Sequence, residues 1–398
     1  MSTMPVATNA APEPAELIED GGIGTVYEPI VSLDAEAPVA YQARLSSPER
    51  STVDELDPSF RAVAVEGALS AGLKPPRCLV LGMEPWATSR EEDLRSGPVR
   101  VMVELSARDL SARPAEVFAA VDWLRDRDCG VAVCHVGVDE RSLALIPFIA
   151  PDVIKLDRTL VQETETSIAT ARTVNAVAAE AERSGATLLA EGIETKAHLR
   201  RARSMGATLG QGRLFGGPGP LPVAFSAAVG QDCLPVRPLA GPPLGTPFEL
   251  IADERRLRRG DKRLLLALSR QLEAEAYGLS GEVVLLASFQ DARCFSAEGR
   301  RYEELARHAA LVGVLGMGIG EQPAPGVRGA SLAPDDDLRG EWNVVVISPH
   351  IAGAFVGRDL HDGGRDRDRR FDFFVTYERE LVAQAARALM ERLVPIGL

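Results

Sequence analysis

Little in this chain is aromatic and little is sulfur. Tyr, Phe and Trp make up 5% of its 398 residues, so aliphatic side chains must supply most of any core. The five cysteines, Cys78, Cys129, Cys134, Cys233 and Cys294, are odd in number and form no CxxC pair. That pattern excludes a zinc-finger spacing and predicts reduced thiols in a cytosol. Positive charge is also scarce, with 44 Lys and Arg against 57 Asp and Glu and a net charge of −13. Phosphate backbones are bound by clustered basic residues, so no nucleic-acid partner is expected. No run of about 18 apolar residues occurs, which leaves no candidate for a membrane-spanning helix. Met1–Glu19 lacks the basic start and apolar stretch of a signal peptide. Residues 1–20 are expected to be a flexible tail on a cytoplasmic protein.

What is present fits a globular protein: 45% hydrophobic and 25% charged residues. The length is enough for two full cores. Between Val26 and Gln211 about eight short apolar runs occur: Val26–Val31, Val39–Leu45, Cys78–Met83, Val101–Leu105, Val131–Cys134, Asp152–Leu156, Thr187–Ala190 and Thr208–Gly210. Helical patterns separate most of them. Pro114–Arg127 carries Val117, Phe118, Val121 and Leu124 on one helical face, with Pro114 suited to a first turn. Ser167–Arg183 is rich in Ala, and Gly185 follows as a stop. Strands alternating with helices predict an α/β fold, and eight such units a (β/α)8 barrel, with a doubly wound sheet as the alternative.

A Pro- and Gly-dense stretch follows Phe215, and residues 223–246 are expected to link the barrel, 21–222, to a second domain, 247–398. That domain opens with the helical pattern Lys262–Tyr277. Val283–Phe289, Leu311–Leu315 and Val344–Ile347 read as strands, and Glu378–Leu393 as a closing amphipathic helix. The order predicts a small α/β or α+β unit of ordinary domain size.

Three motifs carry a resemblance: Val153-Ile154-Lys155-Leu156-Asp157, Ala190-Glu191-Gly192-Ile193-Glu194 and Gly210-Gln211-Gly212. Together they resemble the second half of an EAL domain, the barrel that hydrolyses cyclic di-GMP. Barrels of this type place chemistry at the carboxyl ends of strands. The resemblance implies two divalent metals held by carboxylates and one Asn, which activate water for attack on a phosphodiester. Ala40-Tyr41-Gln42-Ala43-Arg44-Leu45-Ser46 stands at the family's Gly-Tyr-Glu-Ala-Leu-Leu-Arg, so Gln42 replaces a metal-binding Glu and Ser46 a phosphate-holding Arg. Leu79-Val80-Leu81-Gly82 places Gly82 at the Asn. Glu104-Leu105-Ser106-Ala107 places Ala107 at a carboxylate, and Ala132-Val133-Cys134-His135 puts Cys134 and His135 where two Asp stand. A one-strand shift would put Glu104 at the Asn position instead. Lys155, Glu191, at the proposed general base, and Gln211 survive. Neutral Gln42, Gly82, Ala107 and Cys134 cannot replace a carboxylate cluster, so no bound metal or other cofactor is expected.

Lys155 is placed to bridge Glu191 across the mouth. The Cys134-His135 pair lacks the further ligands of a zinc site and is expected to pack ordinarily, with redox sensing as the alternative. Glu28, in Glu28-Pro29-Ile30-Val31, stands where the family usually has Gln, and adds a negative charge facing a dianionic ligand. Candidate ligand contacts are Glu28, Lys155, Glu191 and Gln211.

The second domain, through Gly281–Phe289, Arg301-Tyr302, Pro325–Gly329, Glu341-Trp342, Ser348-Pro349-His350 and Arg369-Arg370-Phe371, resembles a DICT sensory domain. Arg328, His350 and Arg358 are candidates to line a pocket for an anionic signal, while Arg365–Arg370 reads as a solvated loop of mixed sign. The combined expectation is a catalytically inactive EAL-like barrel acting as a regulatory adaptor for a protein partner in a bacterial pathway, coupled to a DICT sensor. A receptor that binds cyclic di-GMP without cleaving it and a weak phosphodiesterase are the alternatives. The resemblance also allows a homodimer.

Overall fold

The computed structural model describes residues 24–46, 55–85, 99–163, 167–223, 225, 234, 236, 245–252, 254–279, 282–362 and 365–396. The expected tail and most of the expected linker lie outside these residues. Eight strands close a barrel in sequence order: β1 (Thr25–Ser32), β2 (Ala37–Leu45), β3 (Cys78–Gly82), β4 (Arg100–Ser106), β5 (Gly130–Val136), β6 (Val153–Leu156), β7 (Thr187–Ala190) and β8 (Leu209–Gln211). Each overlaps one of the expected runs. The barrel departs from an all-parallel one at β1, which runs antiparallel to both β2 and β8. The reason is local: only a turn at residues 33–36 joins β1 to β2, and so short a connection can make a hairpin but not a crossover.

Helix ends follow their capping residues. Asp57 accepts from the Ser59 amide at 2.8 Å to start the helix Pro58–Ser70. Ser167 caps Ile168–Ser184, and Gly185, at φ +68°, ends it in the left-handed conformation that glycine takes without strain. Pro114–Arg125 buries Val117, Phe118, Val121 and Leu124, as its spacing predicts.

Alternation along the strands positions the site. One side chain per strand, Ile30, Ala40, Val80, Met102, Ala132, Val153, Leu189 and Leu209, builds an apolar layer inside the barrel. Leu234, fully buried, joins the same cluster. Inward positions recur every second residue, so the next layer toward the mouth falls on Glu28, Gln42, Gly82, Glu104, Cys134, Lys155, Glu191 and Gln211.

The second domain is a seven-stranded sheet, ordered β12-β11-β10-β13-β14-β15-β9, of β9 (Arg258–Asp261), β10 (Val284–Asp291), β11 (Leu311–Met317), β12 (Arg328–Ser331), β13 (Glu341–Ile347), β14 (Ala352–Asp359) and β15 (Arg370–Thr376). Only β10, β11 and β13 were expected. β14 opens with six residues of Ala, Gly, Phe and Val that show no alternation before it ends in Arg358-Asp359, β9 is almost wholly charged, and β12 is a short Arg-Gly-Ala-Ser. The expected loop 365–370 contains a short 3-10 turn and leads into β15. Lys262–Tyr277 covers one face of the sheet and Arg379–Met390 the other. This last helix also meets the barrel: the Arg387 guanidinium pairs with Asp122 and lies 4.6 Å from the Phe118 ring centre. No helix among the described residues is long and apolar enough to cross a membrane.

Candidate functional site

A cleft of about 540 Å³ opens over the polar layer at the carboxyl ends of the barrel strands. Glu28, Glu191, Gln211, Cys134 and His135 line it, as do Arg44, Glu104, Asp157, Arg158 and Arg213. Beneath them lies Lys155, whose side chain is 0% exposed. Its ammonium pairs with Glu104, lies 2.6 Å from Glu191 Oε1 and donates to Gln42 Oε1 at 3.0 Å. Burial alone would lower its pKa, but Glu104 and Glu191 outweigh burial and raise it, so Lys155 is a fixed cation.

Gln42, 2% exposed, is the second hub. Its carbonyl oxygen accepts from Lys155, from Arg44 at 3.1 Å and from Gln211 Nε2 at 2.8 Å. Its amide nitrogen donates to Glu104 Oε2 at 2.8 Å. Gln211 Nε2 also reaches Glu28 Oε2 at 2.8 Å. Burial pushes the Glu28 carboxyl up, while Arg44, Gln211 and Lys155 pull against it. Arg44 further reaches Glu55 at 3.3 Å. Glu104 and Arg44, central to this network, were not singled out as candidates from the sequence. Both hold inward positions two residues beyond other inward residues, and that periodicity was the available signal.

Two of the substituted positions are not brought into the cleft. Ala107 lies past the end of β4 as the first residue of the helix Ala107–Ala112, is buried in the core between barrel and helices, and does not line the cleft. Gly82 has the inward parity, but a Cβ there would sit 2.8 Å from Leu56 Cδ2. Ser46 lies outside the cleft lining and is exposed. His135, expected to pack, is instead 65% exposed and 3.5 Å from Asp157. Burial raises the Asp157 carboxyl, yet the Thr159 amide and hydroxyl with His135 hold it below the usual range. The Cys134 thiol donates to the Leu105 carbonyl at 3.5 Å and is pushed far up by burial, with Glu104 adding to the shift. A protonated thiol is a poor nucleophile, which weakens the redox alternative.

The residues present do not fit the metal pair that an EAL barrel implies. Lys155 already fills the space between Glu104 and Glu191, and Gln42 turns a hydrogen donor, not a lone pair, toward Glu104. Among the described residues no group of three or more His, Cys, Asp or Glu could hold a metal ion.

The three candidates in the second domain do not share a pocket. Arg328 is buried on the edge strand β12 and donates to the carbonyls of Ser111 and Val394, at the contact with the barrel. His350 is exposed in the turn between β13 and β14. Arg358 sits at the far end of that hairpin, 3.2 Å from buried Glu341 and 4.2 Å from the Phe248 ring centre. The hairpin and the width of the sheet separate them.

Comparison with known proteins accords with this architecture. The EAL domain family matches residues 86–218. The DICT family, described as a sensory domain in diguanylate cyclases and two-component systems, matches residues 252–359. The chain thus carries an EAL domain followed by a DICT sensory domain. Over 123 residues it is 32% identical to the cyclic di-GMP phosphodiesterase RocR of Pseudomonas aeruginosa, covering 31% of each protein. An uncharacterised protein of Azorhizobium caulinodans is 30% identical over 119 residues, 30% of this chain and 16% of that one. The chain therefore matches less than a third of the length of either relative. Among solved structures, the calcium and cyclic di-GMP complex of Klebsiella pneumoniae BlrP1 aligns at TM-score 0.44 and 23% identity, over 53% of this chain and 58% of that one. The EAL domain of Mycobacterium smegmatis DcpA aligns at 0.42 and 20%, over 50% and 92%.

Proposed function

We propose that this chain is a cyclic di-GMP signalling protein whose barrel does not hydrolyse the dinucleotide and serves as a regulatory adaptor for a protein partner, coupled to the DICT domain. The observation that carries the reading is the Lys155 ammonium seated between Glu104 and Glu191, with the Gln42 amide donating to Glu104. Where a hydrolytic centre needs ionised oxygens converging on cations, these oxygens are neutralised from within the protein. The DICT domain, docked through Arg387 and Arg328, supplies the sensing half.

The full chain should release no product from cyclic di-GMP above a protein-free control with either Mg²⁺ or Mn²⁺. Turnover comparable to an active EAL enzyme overturns the proposal. A non-hydrolysing receptor is the second reading, supported by the size of the cleft and by Arg44, Arg158 and Arg213 in its lining. Five lining carboxylates, Glu28, Glu104, Asp157, Glu191 and Glu194, stand against those three guanidiniums and the Lys155 ammonium beneath them, an excess of one negative charge. Such a surplus disfavours a dianion, which places the adaptor first. Calorimetry at ligand concentrations on the order of hundreds of micromolar separates the two readings.

A further inference from the structure

The sheet of the DICT domain changes direction at β10, which has β11 parallel on one side and β13 antiparallel on the other. From the carboxyl end of β10 the chain enters the helices Ala292–Ser296 and Gly299–Ala306, on the face already covered by Lys262–Tyr277. Crevices outside the carboxyl ends of strands, where the connections diverge, are where such sheets take ligands. One of about 190 Å³ opens here.

Its apolar walls are Leu266, Phe289, Trp342 and Phe371. Trp342 and Phe371 stand edge to face with ring centres 5.9 Å apart, and Phe289 and Trp342 are only partly covered by the protein. The charges that line the crevice are already paired. Lys262 lies 2.6 Å from Asp366, Arg270 lies 3.0 Å from Glu298, and Glu273 is held by Arg301 and by the Tyr302 hydroxyl at 2.8 Å. A charged ligand would have to break one of these pairs and give up its own hydration as well. The volume lies below the usual range for drug-sized ligands, which excludes a dinucleotide. Two polar groups are unspent: Arg301 Nε is buried without a hydrogen-bond partner, and Ser269, 2% exposed, donates to the Leu266 carbonyl at 3.2 Å, so its oxygen lone pairs can still accept.

We propose that this crevice binds a small uncharged aromatic alcohol or phenol, its ring against Phe289, Trp342 and Phe371 and its hydroxyl donating to Ser269 Oγ. The proposal is independent of what the barrel does, and its test uses no cyclic di-GMP. The full chain is titrated by fluorine NMR with 4-fluorobenzyl alcohol, and in parallel with 4-fluorobenzoate, its charged counterpart. Two variants narrow the crevice: Leu266→Trp, from a half-buried helix position, and Cys294→Phe, from an exposed rim position that carries little of the fold. The alcohol signal should broaden saturably and the carboxylate signal stay sharp. Affinity for the alcohol should fall about tenfold or more in both variants. No broadening, equal affinity in the variants, or preferential binding of the carboxylate overturns the proposal. If Leu266→Trp fails to fold by circular dichroism, Cys294→Phe decides.

Discussion

The mouth of the barrel and the crevice of the DICT domain both bury carboxylates, and they neutralise them in opposite ways. In the barrel one ammonium, 0% exposed, serves Glu104 and Glu191 together, and the Gln42 amide and Gln211 Nε2 join the network, while Gln211 Oε1 is buried without a hydrogen-bond partner. In the crevice Glu273 is held by the Arg301 guanidinium, which is 28% exposed and also lies 3.1 Å from Glu298, and by a second donor in Tyr302. The barrel network lies at the carboxyl ends of the strands, under the cleft. The crevice pairs sit around a wall of aromatic rings and leave it open. A site that satisfies all its charges at its centre has no vacancy for a cation, whereas one that satisfies them at its rim can still receive an apolar guest.

The same substitution at the two cations measures that difference most strongly. Lys155→Met strands two partly buried carboxylates at once, and removing one partner of a buried pair costs about 3–5 kcal/mol, an upper bound here. Arg301→Met leaves Glu273 with its Tyr302 hydrogen bond and Glu298 with Arg270, so the loss should be nearer about 1–2 kcal/mol. Urea denaturation of the full chain, followed by circular dichroism and by fluorescence, compares them. Equal losses would break the distinction between the two sites.

What the sequence made legible follows the same division. The eight barrel strands could be read because each is a short apolar run bounded by polar turns, and Gln42, Lys155, Glu191 and Gln211 because they sit at family motifs. Glu104 was read as part of a motif whose last residue, Ala107, seemed the position to question. Strand parity turns Glu104 inward, whereas Ala107 lies past the end of β4 in a helix and packs in the core. Parity depends on register, which no single run reveals. In the second domain Arg328, with His350 and Arg358, is a candidate to line a pocket for an anionic signal. Its actual partners, the carbonyls of Ser111 and Val394, are brought to it by domain docking, which leaves no local pattern. β14 escaped because both faces of the sheet are covered, so most of it lacks the alternation of a half-exposed strand.

Gln42→Glu probes how completely the barrel network has closed against cations. The new carboxylate oxygen would replace the amide that donates to Glu104 at 2.8 Å, setting two carboxylates against each other. A loss of about 1–3 kcal/mol is expected at pH 7. Like-charge repulsion raises the pKa of the pair, so the loss should shrink as the pH falls toward 5 and one carboxyl takes up a proton. Millimolar Mn²⁺ should leave the denaturation midpoint of the unmodified protein unchanged. A Mn²⁺-dependent rise in that midpoint would show that Lys155 yields its place to a metal, and the contrast with the crevice would fall.

The smallest effect is expected at Glu28, where burial holds the carboxyl above its ordinary range. A group whose folded pKa exceeds its unfolded one supports folding fully only below the unfolded value, and that support is lost as pH rises through the folded value. At neutral pH the ionised Glu28 is therefore a net cost, partly screened by solvent at the mouth. Glu28→Gln keeps an oxygen for Gln211 Nε2 and removes one of the five lining carboxylates. The variant should be more stable at pH 7 by under about 1 kcal/mol, with the gain shrinking as pH falls and vanishing below the ordinary Glu pKa of about 4.3, where Glu28 is protonated in both states. A loss of stability at pH 7 would mean that the 3.8 Å contact with Arg44 outweighs desolvation. The mouth would then depend on its negative charge, instead of merely tolerating it.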